Sequence, residues 1–202
     1  MHPVSERGTF TYEDLLNFPD DGKRHELIGG EHYVTPSPSS GHQIIAGNLF
    51  FLLRLYLRDR PLGVVMLAPF DVVLTEIDVV EPDLLYFTGA RYPEVVTSRC
   101  AQGPPDLAVE ILSPGTRRTD ELTKRKLYEA RGVGEYWVVD PELETIKVYR
   151  LAGTVAVPGE LEAVGRPQYV RAAELSLENA DALTSPLFPD LVLPLAEIFK
   201  PA

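Results

Sequence analysis

The sequence predicts an α/β protein whose elements run in the order α-β-β-β-α-β, and three observations carry that expectation. A segment from about His42 to Asp59 repeats its apolar residues at helical spacing, and several short runs alternate apolar with polar residues as half-buried strands do. A strand near 106–112, a helix near 120–131 and a strand near 135–139 make a β-α-β unit, whose crossover should be right-handed and join parallel strands. The 202 residues, 45% hydrophobic and 24% charged, suit one soluble globular domain spanning the chain.

The elements follow from local chemistry. HELIGGEHYVTP alternates around Gly29-Gly30, a hairpin signal because paired glycines accept the positive φ of a tight turn. Pro36 and Pro38 end the hairpin, and Ser39 or Ser40 caps the long helix, whose stripe is Ile45, Leu49, Leu52, Leu53 and Tyr56. Pro61 stops it. Strands are expected at Gly63 to Leu67, Phe70 to Leu74 and Pro82 to Phe87, with TEID turning back toward Val79-Val80. In DLAVEIL, Leu107, Val109 and Ile111 share one face, and Asp106, Ala108 and Glu110 the other. Ser113-Pro114-Gly115 breaks that strand. Thr119 or Asp120 caps a helix that Gly132 ends. Strands follow at Tyr136 to Val139 and Thr145 to Arg150. Short strands and a last helical turn at Leu195 to Phe199 complete a β-rich C-terminal extension. Tyr136 and Trp137 alternate across their strand, so at least one ring belongs to the core.

Composition excludes some classes. No stretch approaches the roughly 18 apolar residues of a membrane span and no secretory leader opens the chain, so a cytoplasmic protein is expected. The single cysteine, Cys100, rules out an internal disulfide or a Cys-based zinc cluster and is read as incidental. A net charge of -11 argues against a broad nucleic-acid-coating surface. The segment from Arg117 to Arg131 runs the other way, with six basic and three acidic residues.

Two carboxylates stand out. Asp83 in EPDLLYF and Glu110 in DLAVEIL lie within apolar strands, where an unpaired charge is costly unless a metal, a basic partner or a proton relieves it. On neighbouring strands they could converge on one hard cation, with the backbone carbonyl of Ile111 as a further oxygen; Mg²⁺ suits such a site, and Mn²⁺ could replace it. A basic group is needed beside them. The strand position two after Glu110 is Leu112, so the lysine is sought on the helix, where Asp120, Lys124 and Tyr128 share a face at intervals of four. Lys126 competes with Lys124. Each residue has a plainer reading: Asp83 as a strand-entry carboxylate after Pro82, Glu110 as the partner of Arg117 or Arg118, Lys124 as part of a solvated face. His42 either approaches the site or is a helix-end surface histidine. Glu26 and Glu31, flanking the glycine turn, either add acidic ligands or stand as solvated hairpin charges, the commoner case.

The blocks TYEDLLNFPDDGKRHELIGGE, SPSSGHQ, DVVEPDLLYF, PDLAVEILSPGTRRTDELTKRKLYEARGVGEYWVVDP and LTSPLFPDLVLPLAEIF together resemble the Uma2 family, once a domain of unknown function, over nearly the whole chain. That family falls in the PD-(D/E)XK nuclease superfamily. The resemblance implies a restriction-endonuclease-like αβββαβ core on a mixed central sheet, with the N-terminal hairpin and C-terminal strands as additions. It places the family's aspartate on Asp83, its glutamate on Glu110 in a Glu-x-Leu form, and its migrated lysine on Lys124.

The implied activity is Mg-dependent hydrolysis of phosphodiester bonds in DNA, with Asp83, Glu110 and Lys124 catalytic and Asp83, Glu110 and Ile111 holding the cation. Two alternatives stand beside it. One is a non-catalytic binding or assembly module, favoured by the acidic charge and by Leu112; the other is a metal-dependent hydrolase of RNA or branched nucleic acid. A homodimer would widen the basic surface, as in nucleases that pair their active sites to cut two strands.

Overall fold

The computed structural model describes residues 8–153 and 167–201. A short helix α1 (Tyr12–Leu15) precedes a hairpin of β1 (Arg24–Ile28) and β2 (Glu31–Thr35). Gly29 and Gly30 turn it with φ of 60° and 76°, both in the left-handed region that glycine enters freely. The long helix α2 (Ser40–Leu57) follows, and the Ser39 hydroxyl caps it by accepting the His42 N–H. Strands β3 (Gly63–Leu67), β4 (Asp71–Thr75), β5 (Asp78–Val80) and β6 (Leu84–Thr88) lead to α3 (Tyr92–Val95), β7 (Cys100–Ala101) and β8 (Leu107–Ile111). A π-helical segment, Thr119–Lys124, runs directly into α4 (Arg125–Arg131), which Gly132 closes in a left-handed conformation with φ 80°. After these come β9 (Glu135–Asp140), β10 (Thr145–Ala152), β11 (Gln168–Ser176), β12 (Ala182–Leu183), β13 (Leu193–Pro194) and α5 (Leu195–Ile198).

The six-stranded sheet has the order β11-β10-β9-β8-β6-β3, and β8–β9 is its one parallel pair. That pair is the predicted β-α-β unit, and α2, β3, β6, β8, α4 and β9 give the expected αβββαβ order on a mixed sheet. The strands expected around 70–80 go elsewhere. Strands β4 and β5 form their predicted antiparallel hairpin, but they join β1, β2 and β7 in a second sheet of order β2-β1-β5-β4-β7. Pro69, lacking an N–H, stands between β3 and β4, where the chain leaves the first sheet.

Both faces of the six-stranded sheet are covered. On one, Ile45, Leu49, Leu53 and Tyr56 of α2 pack with Leu84, Tyr86, Leu107, Val109, Ile111 and Trp137. On the other, Leu85, Phe87, Ala108, Leu112 and Tyr136 pack with Leu127 and Tyr128 and with Val72 and Val80 of the second sheet. Tyr136 and Trp137 are therefore both core rings, on opposite faces. The alternation in DLAVEIL has the expected phase, which puts Glu110 on the face toward α4 and the second sheet.

Candidate active site

Strand register brings the two carboxylates together. Strands β6 and β8 are antiparallel with Leu84 opposite Val109, so one residue further along the same register Asp83 stands opposite Glu110. Directly opposed residues point to the same face. Both side chains are almost fully buried, 5% and 3% exposed, and both line a cavity of about 440 Å³.

Asp83 is held by donors on all sides. Its Oδ1 accepts from the Arg24 guanidinium at 2.8 Å; its Oδ2 accepts from the Ile111 N–H at 2.8 Å and lies 3.0 Å from His42 Nε2. The carboxylate only accepts when ionised, so Nε2 is assigned the proton. Burial pushes this carboxyl up, but His42, Arg24 and the Ile111 N–H outweigh it and hold Asp83 below its ordinary value. Within a strand the N–H and C=O of one residue leave on the same edge, so the Ile111 carbonyl also faces the Asp83 side.

Glu110 is held from the helix. Its Oε1 accepts from Lys124 Nζ at 3.0 Å and from the Tyr128 hydroxyl at 2.8 Å. Among the described residues its Oε2 has no hydrogen-bond partner, and the side chain lines the cavity. The Lys124 ammonium, 4% exposed, lies 2.8 Å from Glu26 and 3.5 Å from Asp120 as well. Burial would lower the lysine, but Glu110, Glu26 and Asp120 drive it well above its ordinary value, so it stays charged. Glu110 is raised well above the usual carboxylate range, first by burial; Lys124 opposes this while Asp120, Asp83 and Glu26 add to it. Asp120 is raised for the same leading reason.

The charges do not balance. Four buried carboxyls, Glu26, Asp83, Glu110 and Asp120, share two cations, Arg24 and Lys124. Asp120 Oδ1 is buried with no hydrogen bond: its 3.5 Å approach to Lys124 is an ion pair without hydrogen-bond geometry. The site thus carries two more carboxyls than permanent cations, with the His42 ring as a further basic partner of Asp83, in a place where charge is poorly solvated.

Several expectations are corrected. Glu26 is not a solvated hairpin charge: it is 3% exposed, pairs with Lys124 of the π-helical turn and accepts the Glu81 N–H at 2.7 Å. Glu31 does stay exposed, with Tyr33 as its partner. His42 is a buried partner of Asp83 rather than a surface residue. Glu110 pairs with neither predicted arginine, since Arg117 binds Asp140 and Glu142 and Arg118 is exposed. Lys126 points to solvent, leaving Lys124 as the lysine of the site. The helix is not capped by Thr119 or Asp120. It begins as a π-helical turn with no side-chain cap, a widened geometry often found at functional positions.

Arg24 and the roles of Glu26 and Asp120 were not read from the sequence. The available signal was weak: an arginine and a glutamate two apart on a strand share one face, and Asp120 precedes Lys124 by one helical turn.

The opposed carboxylates, a lysine from the following helix and the αβββαβ order on a mixed sheet define a protein of the restriction-endonuclease-like fold. The chain belongs to the Uma2 family, described as "Putative restriction endonuclease", whose model matches residues 12–196. Among solved structures it is similar to a crystal structure titled as "a putative nuclease belonging to DUF820" from Anabaena variabilis, with a TM-score of 0.70 and 19% identity. That match covers 94% of this chain and 97% of the other. No curated protein matches the chain. Among the described residues no helix is long and apolar enough to cross a membrane.

Proposed function

We propose that the protein is a metal-dependent endonuclease that hydrolyses phosphodiester bonds in nucleic acid, with DNA as the expected substrate and Mg²⁺, or Mn²⁺, as the cofactor. One observation carries the reading: a buried excess of two carboxyls over the permanent cations Arg24 and Lys124 stands beside a carboxylate oxygen, Glu110 Oε2, that no described residue engages. A divalent cation supplies the missing charge. Hard oxygen donors suit it, and Glu110, Asp83 and the Ile111 carbonyl are the residues that would hold it. Among the described residues no three acidic, histidine or cysteine side chains form a metal-holding group by themselves. Magnesium does not require one, because it commonly keeps water and substrate oxygens beside one or two carboxylates.

When bound, the cation would neutralise a phosphate oxygen and make a coordinated water more acidic. The chain supplies the remaining roles. Lys124, charged and fixed by three carboxylates, orients the attacking water and offsets charge accumulating on the phosphorus oxygens. Tyr128 holds Glu110 Oε1 so that Oε2 faces the cavity. His42 and the Ile111 N–H fix the Asp83 carboxylate. Arg24 lines the same cavity and can exchange Asp83 for a substrate phosphate, which an arginine fork suits.

A second reading, a non-catalytic nuclease-fold binding module, draws on Asp83, whose oxygens are both engaged by protein donors. The test is cleavage of labelled DNA and RNA by wild type and Glu110→Gln, with Mg²⁺, with Mn²⁺ and with chelator. Wild-type cleavage should need metal. Glu110→Gln should fall by more than the roughly 10–100-fold that outer-shell changes cost. Equal cleavage by the variant refutes the site; no cleavage, with no metal binding by calorimetry, selects the binding module.

A further inference from the structure

A second cavity of about 430 Å³ adjoins the first, and the two share Arg24, His42 and Asp83 together with residues 35–38. A group occupying it would sit next to a phosphodiester bound at Asp83. Its own walls are largely uncharged: Ala46 and Gly47 from α2, Leu67 and Pro69 from the end of β3 and beyond, and the Gln43 amide. Lys23, ion-paired with Asp21 at 3.2 Å, also lines it. This size and mixture, mostly apolar with a few polar groups, suits one small flat ring system.

Gly47 indicates that the space is kept open. A glycine inside a helix is unfavourable relative to alanine, so its presence calls for a reason. No turn requires it within the 18 residues of α2, and a Cβ built there would meet nothing within 4 Å. Gly47 is exposed and lines the cavity, so a larger side chain there has open space to enter. One helical turn beyond Gly47, at the same i, i+4 spacing that relates Gln43 to Gly47, stands Phe51, 63% exposed, and then the exposed Arg54. An exposed aromatic ring followed by an arginine is the combination on which unpaired bases stack while their phosphates are neutralised.

We propose that the second cavity is a subsite for an unpaired nucleobase flanking the scissile phosphate, with Phe51 stacking on the next base, so that the protein selects single-stranded nucleic acid. A base within a duplex is stacked and paired, and it enters a concave pocket only when extruded. The Gln43 amide, both donor and acceptor, can meet the polar edge of a base. This inference rests on the nucleic-acid reading of the site given above.

The test is fluorescence anisotropy with a fluorescein-labelled DNA single strand of about 12 nucleotides, within the span of such grooves. The same sequence as a duplex is the second arm, and chelator in both suppresses cleavage. Wild type should bind the single strand more tightly than the duplex. Gly47→Leu, which fills the cavity with a better helix former, and Phe51→Ala, a surface change, should each weaken single-strand binding about tenfold or more and leave duplex binding unchanged. Duplex binding as tight as single-strand binding, or neither variant altering the difference, overturns the subsite while the nucleic-acid reading stands. Binding of neither probe at low salt, with chelator or with Ca²⁺ in its place, overturns both.

Discussion

Replacing Lys124 with methionine should destabilise the fold severely, and by an amount that depends on pH. The ammonium lies 2.8 Å from Glu26, 3.0 Å from Glu110 and 3.5 Å from Asp120, all nearly fully buried. Methionine matches the unbranched stem of lysine, so the packing lost is small and the charge dominates. Removing one partner of a buried ion pair costs about 3–5 kcal/mol, because the other is left uncompensated. For a chain of this length each kcal/mol lowers Tm by roughly 2–4 °C, so the expected fall at neutral pH is about 6–20 °C. Glu110 and Asp120 already have folded pKa values above their ordinary ones. Such groups contribute stability that is complete below the unfolded pKa and is lost as pH rises through the folded pKa. Without Lys124, which opposes the rise in both, their folded values climb further and more stability is lost at neutral pH. The deficit should therefore be largest near pH 8 and shrink toward pH 5. Thermal melts followed by circular dichroism at several pH values check this. An unchanged Tm, or a deficit that grows on acidification, would refute the charge argument.

Two further changes probe different links. His42→Ala removes a donor to Asp83 and should lower cleavage about 10–100-fold, as loss of an outer-shell partner commonly does; His42→Gln, which keeps an N–H, should recover part of it, and wild-type rates for His42→Ala would exclude the positioning role. Gly63→Ala would place its Cβ 2.1 Å from the Phe87 carbonyl oxygen and 2.7 Å from the Tyr86 ring. Overpacking of this kind costs about 1–3 kcal/mol or more, and a melting temperature equal to wild type would mean that β3 shifts away from β6 at no cost.

What the sequence conveyed about this site depended on how far apart the partners lie along the chain. Glu110 was conspicuous because a charge interrupts an apolar alternation, a local signal, and Lys124 followed from helical spacing only fourteen residues away. Arg24 and His42 meet Asp83 across 59 and 41 residues, between elements whose packing no local pattern specifies. Glu26 reads as a solvated hairpin charge for the same reason: nothing local shows that Lys124, 98 residues on, reaches it. The π-helical turn was also hidden, since periodicity reports the average face of a helix and not one widened turn. The second sheet escaped because β4 and β5 read equally well as strands of either layer, and only the register of β6 against both β3 and β8 leaves them outside.

The strand position two after Glu110 serves the core. Leu112 continues the Ala108 face of β8 and belongs to the apolar cluster of Leu127 and Tyr128, at the wall of the cavity that Glu110 and Lys124 also line. From the π-helical turn, Lys124 reaches the same Glu110 oxygen while Leu112 remains part of the core. The arrangement also bears on the net charge of -11. Four of the 30 acidic residues are directed inward, where Glu26, Asp83, Glu110 and Asp120 surround a lysine and an arginine. Arg54, Arg118 and Lys126 are exposed. The cavity itself holds more carboxyls than cations, so a phosphate would be drawn into it once a divalent cation is held there, while the overall charge is screened beyond about 10 Å at moderate salt. Binding should weaken as salt rises, with a slope set by the small number of phosphates that these local charges neutralise.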